Sequence, residues 1–281
     1  MKLTRLEFQQ WDRKAITLLG MSGVGKTRLA HVLRRHHWFH YSGDYRIGTR
    51  HLDEAILDNI KQQAMQIPFL RELLRSDSIE VANNITFDNL TPLSSFLGKV
   101  GNPDIGGIGL REFKRRQELH RLAEIEAMKE VPEFINKGRE IYGYDHFVND
   151  AGGSLCELED DKVMELLSEH TLILYLKADS KDEEELVKRA ERDPKPLYYP
   201  ERFLDEQLGR YMEERGLEYV ALIEPDDFVR WVFPYLLEAR RPRYEQIASE
   251  YGYTVTTEQI SRIRTEAGFL ELIENILDKQ K

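Results

Sequence analysis

The stretch "LLGMSGVGKTRLA", residues 18–30, decides how this chain is read. An apolar run, "AITLLG" (15–20), passes into a glycine-rich turn, and a helical pattern opens at a lysine and a threonine. Gly20, Gly25, Lys26 and Thr27 fit the spacing G-x-x-x-x-G-K-[ST], with Gly23 as a further glycine inside the loop. Glycines let successive backbone N–H groups turn inward, and the following helix adds its positive end to the same anion site. Lys26 would reach the outer phosphates, and the Thr27 hydroxyl would take a coordination place on Mg²⁺. Leu29, Ala30 and Leu33 share one helical face, so strand, loop and helix follow in the order the motif needs. The stretch predicts a nucleotide phosphate site, with Ser22, Val24 and Arg28 completing its lining. The loop alone does not select a reaction, because ATPases, GTPases and small kinases all use it.

The rest of the composition narrows the classes. The chain has 281 residues, enough for a buried core with an appended part, and 41% of them are hydrophobic. A formal charge of −10 argues against a protein that coats nucleic acid, although a local basic groove remains compatible with it. The one cysteine, Cys156, excludes an internal disulfide framework and a multi-cysteine metal site. The start, "MKLTRLEFQQWDRK", is charged throughout and lacks a signal-peptide core, and no run reaches the ~18 apolar residues of a membrane span. The expected compartment is the cytoplasm.

A second strand is expected over "WFHYSGD", ending at Asp44, 18 residues beyond Lys26. With this spacing the chain resembles the P-loop kinases of the adenylate kinase and shikimate kinase type. The resemblance implies that Asp44 binds or deprotonates the acceptor hydroxyl, or holds a magnesium-bound water, and that Arg46 and Arg50 clamp acceptor or phosphate. The chemistry is consistent with that: a hydroxyl acceptor needs a carboxylate within hydrogen-bond reach, and a moving phosphoryl group needs cations around its oxygens. Asp44 could instead cap the helix that begins "DEAILDNIKQQ", but Asp53 is better placed for that task. A third strand, "HFVND", ends at Asp150, expected to face Mg²⁺, and Gly152, Gly153 and Ser154 then allow close backbone approach to a ligand. A fourth strand, "TLILYLKAD" (171–179), precedes a helix carrying Lys188, Arg189 and Arg192. In the kinase family this interval is a mobile lid that lowers arginines onto the phosphates, and the resemblance assigns Arg189 and Arg192 that role. The glutamates at 183–185 could equally pair those bases on a solvated helix. "EYVALIEP" (218–225) is expected as the fifth strand.

The resemblance covers about half the chain, residues 15–54 and 142–236. More than a hundred residues separate Asp44 from Asp150, and their pattern is largely helical. They are interrupted by "GKVGNPDIGGIG" (98–109), with five glycines and a proline, a loop that is either mobile or wrapped around a ligand. Arg111, Lys114, Arg115, Arg116 and Arg121 follow, opposed only by Glu112 and Glu118. In an acidic chain this basic cluster suggests an anionic acceptor gripped by Arg111, Lys114, Arg115 and Arg116; a solvated helix face is the alternative. The tail beyond "EARRPR" reads as short helices. A helix-turn-helix reading fails there, because Glu258 and Ser261 fall where the recognition helix needs apolar residues.

The expected architecture is an α/β three-layer P-loop sandwich with a five-stranded parallel sheet. Its core would be residues 1–54 and 142–236, with a helical acceptor-binding insertion (55–141) and a helical C-terminal cap (237–281). The expected activity is phosphoryl transfer from ATP with Mg²⁺, catalysed by Lys26, Asp44, Asp150, Arg189 and Arg192, with Thr27, Asp44 and Asp150 toward the metal. The acceptor would carry a hydroxyl or an anionic group, as in a nucleoside, a nucleotide or a nucleic-acid base. An ATPase or nucleotide-dependent switch with a macromolecular partner is the alternative. A regulatory GTPase is disfavoured by the lack of an N-K-x-D motif, and an AAA-type motor because no glutamate follows Asp150.

Overall fold

A computed structural model describes residues 1–279. In chain order the elements begin with α1 (Arg5–Gln10), β1 (Ala15–Leu19), α2 (Lys26–Arg34), β2 (Trp38–Ser42) and α3 (Gly43–Arg46). A run of helices follows: α4 (Asp53–Ala64), α5 (Pro68–Arg75), α6 (Thr91–Leu97), α7 (Leu110–Lys129) and α8 (Val131–Glu140). Then come β3 (His146–Asp150), α9 (Asp161–His170), β4 (Leu172–Lys177), α10 (Ser180–Arg192), α11 (Glu201–Arg215) and α12 (Pro225–Tyr251). The chain closes with β5 (Gly252–Thr256), α13 (Thr257–Ser261) and α14 (Glu266–Lys279). Among the described residues no helix is long and apolar enough to cross a membrane.

The five strands form one all-parallel sheet in the order β2-β3-β1-β4-β5. Parallel pairing needs crossover connections, which place helices over the faces. Every residue of β1 is buried, as a strand covered on both faces requires. The α/β sandwich expected from sequence is therefore the observed class. From β1 the chain turns through α2 toward β2, on one side of the sheet, whereas β4 leads to β5 on the other. Their connections diverge between adjacent β1 and β4, and a crevice opens at the carboxyl ends of these two strands, where open α/β sheets bind ligands.

The fifth strand is not the one expected. Residues 218–225 contain only a single turn of 3₁₀ helix, Val220–Leu222, with Leu222 56% exposed. The strand is Gly252–Thr256, where Tyr253 and Val255 are buried and Thr254 and Thr256 face outward. Alternation with aromatic and β-branched residues is the pattern a sheet edge selects. Its position inside the sheet also replaces the all-helical cap expected over 237–281, and it separates α12 from α13, so no helix-turn-helix exists there.

The described residues group into two compact units. One comprises 1–43, 124–194 and 230–281 and contains the whole sheet; the other comprises 44–123 and 195–229. These bounds differ from the division read from sequence, mainly because α7 and α12 are continuous helices. α12 runs unbroken from Pro225 to Tyr251 through Pro234 and Pro242, so residue 237 is no boundary. In the second unit Ile56, Phe96, Phe113, Leu204 and Phe228 form a buried centre. The glycine-rich segment 98–109 of that unit is neither a free flap nor an open cradle. Gly101 N–H donates to Ile108 O (3.0 Å), Ile108 N–H to Lys99 O (2.8 Å) and Gly107 N–H to Asn102 O (2.8 Å), closing the loop on itself. Asp53 opens α4 without capping it, since its carboxylate accepts from Asn83 instead.

Candidate functional site

The loop after β1 delivers what its sequence promises. Gly25, at φ +98°, caps α2 in the left-handed region, so the chain turns from strand to helix within the loop. Lys26 is 6% exposed, and its ammonium folds back to donate to Gly20 O (2.7 Å) and Met21 O (3.0 Å). The Thr27 hydroxyl donates to Asp150 Oδ2 at 2.6 Å. Two residues that sequence reading placed on one metal ion, 123 positions apart, are thus in direct contact. Asp150 ends β3 in register with Leu18 and Ser42 and is 6% exposed. His40 Nε2 stands 3.6 Å from the same Asp150 oxygen, with its side chain 2% exposed.

The segment after β3 braces the loop from the side. A Cβ on Gly153 would lie 2.9 Å from Ser22 N, so only glycine allows this backbone to meet the phosphate loop so closely. Tyr244 Oη donates to Gly153 O (2.7 Å), and Ser154 Oγ donates to Glu124 Oε2 (2.5 Å), a carboxylate with 0% exposure. Nearby, Arg240 of α12 grips Glu157 through Nε (2.8 Å) and through its terminal nitrogen (2.6 Å). The two side chains are 4% and 1% exposed, and the third guanidinium nitrogen lies 3.9 Å from Met21 Sδ in the loop. Burial disfavours the Arg240 charge, but Glu157 beside it overrides that and holds its pKa above the ordinary value. Burial also pushes the neighbouring Cys156 thiol up to about 12.

The opposite wall is α10. A Cβ on Gly23, which adopts φ +93°, would come within 2.9 Å of Leu186 and 3.0 Å of an Arg189 guanidinium nitrogen, so Arg189 reaches the loop itself. Leu186 and Ala190 are buried, Arg241 pairs with Glu183 (2.6 Å), and Thr257 donates to Asp182. These contacts seat α10 on the sheet unit as a packed wall, in place of the free-standing lid expected from sequence. Arg189 and Arg192 line a cavity of 550 Å³ together with Gly23, Gly25 and Arg28. Lys188 does not join them; it pairs with Glu185 (3.1 Å) on an exposed face. The cavity lies at the carboxyl ends of β1 and β4, the crevice that the strand order creates.

The remaining expected residues belong to the second unit. Asp44 is not at a strand end: β2 stops at Ser42, and Asp44 sits in the first turn of α3. Arg46 closes that helix, and Arg50 is exposed on the following π-helical turn, Ile47–His51. The basic stretch is largely committed to its own unit. Lys114 pairs with Glu201 (3.0 Å) and Asp205 (2.7 Å), and Arg115 with Glu112 (2.8 Å). Arg116 is 8% exposed and donates to Glu112 Oε1, Phe96 O and Asn59 Oδ1, each at 2.7 Å. Bonds from Arg115 and Arg116 hold the Glu112 carboxyl down at about 2, Arg115 contributing most and partial burial opposing them. Arg121 pairs with Glu118 (2.9 Å), while Arg111 is exposed. The expected anion grip at 114–116 is therefore corrected to a structural network, because its cations already have carboxylate and carbonyl partners.

Sequence reading missed His40, Glu124, Glu157, Arg240 and Tyr244. Each is a polar residue in an ordinary-looking strand or helix, and only the fold brings it to the loop or to Asp150.

No protein-family model matches the chain, and no curated protein matches it. Among solved structures, similarity is found to a shikimate kinase from Bacteroides thetaiotaomicron at 16% identity and a TM-score of 0.42, over 94% of this chain and 98% of that one. A shikimate kinase from Acinetobacter baumannii, solved in complex with shikimate, is similar at 14% identity and a TM-score of 0.38, over 98% of each chain. The reading of the site rests on its own geometry.

Proposed function

We propose that the chain is a P-loop phosphotransferase that moves the γ-phosphoryl group of ATP to a hydroxyl-bearing or anionic acceptor. The observation that carries this reading is the Thr27–Asp150 hydrogen bond beside Lys26, at the carboxyl ends of β1 and β3. The donor set suits Mg²⁺: a hydroxyl and a carboxylate are hard oxygen ligands, and this ion is commonly held by one or two carboxylates plus substrate phosphates and waters. When bound there, the ion would neutralise charge on the β- and γ-phosphate oxygens.

The chain's own residues supply the rest. Loop N–H groups and Lys26 bind and orient the triphosphate. Arg189 and Arg192, on the cavity wall, stabilise negative charge on the group in transit. The acceptor oxygen forms its bond to the γ-phosphorus as the bridging oxygen leaves with ADP, and the acceptor proton passes to a carboxylate. Asp44, two residues beyond β2, is our candidate for that carboxylate, with Arg46, Arg50 and Arg111 as candidate acceptor ligands.

The test is incubation with γ-labelled ATP, Mg²⁺ and pooled alcohols, sugars, nucleosides, nucleotides and oligonucleotides. Label should enter an acceptor, and Lys26→Ala should abolish the transfer. Asp44→Asn should lower it by ~10²-fold or more, the scale of a lost general base. Label found only in inorganic phosphate would make the protein an ATPase and remove the transferase reading.

A further inference from the structure

The cavity beside the phosphate loop extends past the loop to the start of α10 and to α13, where its lining changes character. Leu186 and Ile260 present apolar surface, and the polar groups between them are Asp182, Thr257 and Ser261. We infer that this end takes the base of the nucleotide and that Asp182 selects adenine by accepting a hydrogen bond from its 6-amino group. The inference rests on the phosphate-loop reading above and adds the identity of the base and the residue that reads it.

The argument begins with bonds already made. Thr257 Oγ1 donates to Asp182 Oδ2, so this carboxylate offers a ligand one oxygen, Oδ1. Two other polar groups of the lining are also engaged: Arg28 donates to Ile260 O at 2.6 Å, and Glu185 is paired with Lys188 at 3.1 Å. One open acceptor matches one exocyclic amino group. Guanine presents two adjacent donors, its ring N1–H and its 2-amino group, and a carboxylate satisfies both only with both oxygens. Hypoxanthine presents an oxo group at the 6-position, where a carboxylate repels it. The site thus favours adenine both by attraction and by a penalty against its oxo analogues. The cavity volume of 550 Å³ lies in the range of small-molecule sites.

The experiment is equilibrium titration with Mg²⁺ and the non-hydrolysable imido analogues of ATP, GTP and ITP. The wild type should bind the adenine analogue at least about tenfold more tightly than either oxo analogue, the scale of a hydrogen bond to a charged group. Asp182→Asn should erase that preference, because an amide can turn its donor toward a 6-oxo group. Thr257→Val should release Oδ2 and improve the guanine analogue relative to the adenine one. This second variant, with the wild-type panel, decides the matter if Asp182→Asn folds poorly. Equal wild-type affinities, or ratios that neither substitution moves, would overturn the base assignment and leave the phosphate-loop reading standing. Failure to bind any of the three analogues would overturn both.

Discussion

Glu157→Gln isolates the contribution of the buried pair that braces the loop. The substitution keeps the shape of the side chain and removes its charge, leaving Arg240 charged in a place where its side chain is 4% exposed. Two of that guanidinium's nitrogens bond Glu157, at 2.8 and 2.6 Å, and its third faces a methionine sulfur, so no second carboxylate bond is available to compensate. Breaking such a pair on one side costs about 3–5 kcal/mol. For a chain of this size each kcal/mol lowers the melting temperature by about 2–4 °C, giving a loss of roughly 6–20 °C. Calorimetry and urea unfolding at neutral pH would measure it. The double variant Glu157→Gln/Arg240→Met should recover much of the loss, because a pair exchanged for an uncharged, well-packed one is often neutral in stability. A loss below about 1 kcal/mol for Glu157→Gln, or a double variant as unstable as the single, would refute the view that this pair is a buried brace.

Three further outcomes follow from the same contacts. Cys156, its thiol pushed up to about 12 by burial, should resist alkylation at pH 8 in the native protein and react once urea unfolds it. Gly153→Ala should weaken nucleotide binding while the sheet still folds, because its Cβ would press on Ser22 N at 2.9 Å; unchanged affinity would show that this contact does not shape the loop. Arg116→Gln should destabilise the protein by about 2–4 kcal/mol through its buried partners, whereas Lys114→Gln and Arg115→Gln should each cost about 1 kcal/mol or less, as exposed pairs do. Denaturant midpoints of the three variants would check that order.

The parts legible in the sequence were those fixed by short-range chemistry. A glycine loop between an apolar strand and a helix is defined by neighbouring residues, so the site around Gly20–Thr27 could be read directly. Asp150 was readable because it ends a strand bounded by clear turn residues, and the contact with Thr27 agrees with its expected position. Asp44 was harder: "SGD" continues the strand pattern, yet the backbone turns into α3 at Gly43. β5 was hidden by its context, since "GYTVT" lies between two helical patterns and the more apolar "EYVALIEP" resembled a strand better. The basic run 111–121 was misleading for a different reason. Its partners Glu201, Asp205 and Asn59 are distant in sequence, so a committed ion-pair network looked like a free cationic face. The same separation hid Arg240 and Tyr244, whose work at the loop depends on α12 continuing through two prolines.

The central claim is that the loop Gly20–Thr27 is the nucleotide site, and Lys26→Ala tests it most directly. Equilibrium dialysis of ATP with Mg²⁺ should show saturable binding to the wild type and an affinity lower by about tenfold or more in the variant, the scale of a charge-assisted contact to phosphate. Far-ultraviolet circular dichroism should stay the same, since the Lys26 ammonium bonds only the carbonyls of its own loop among the contacts described here. Equal ATP affinity in the two proteins would contradict the account.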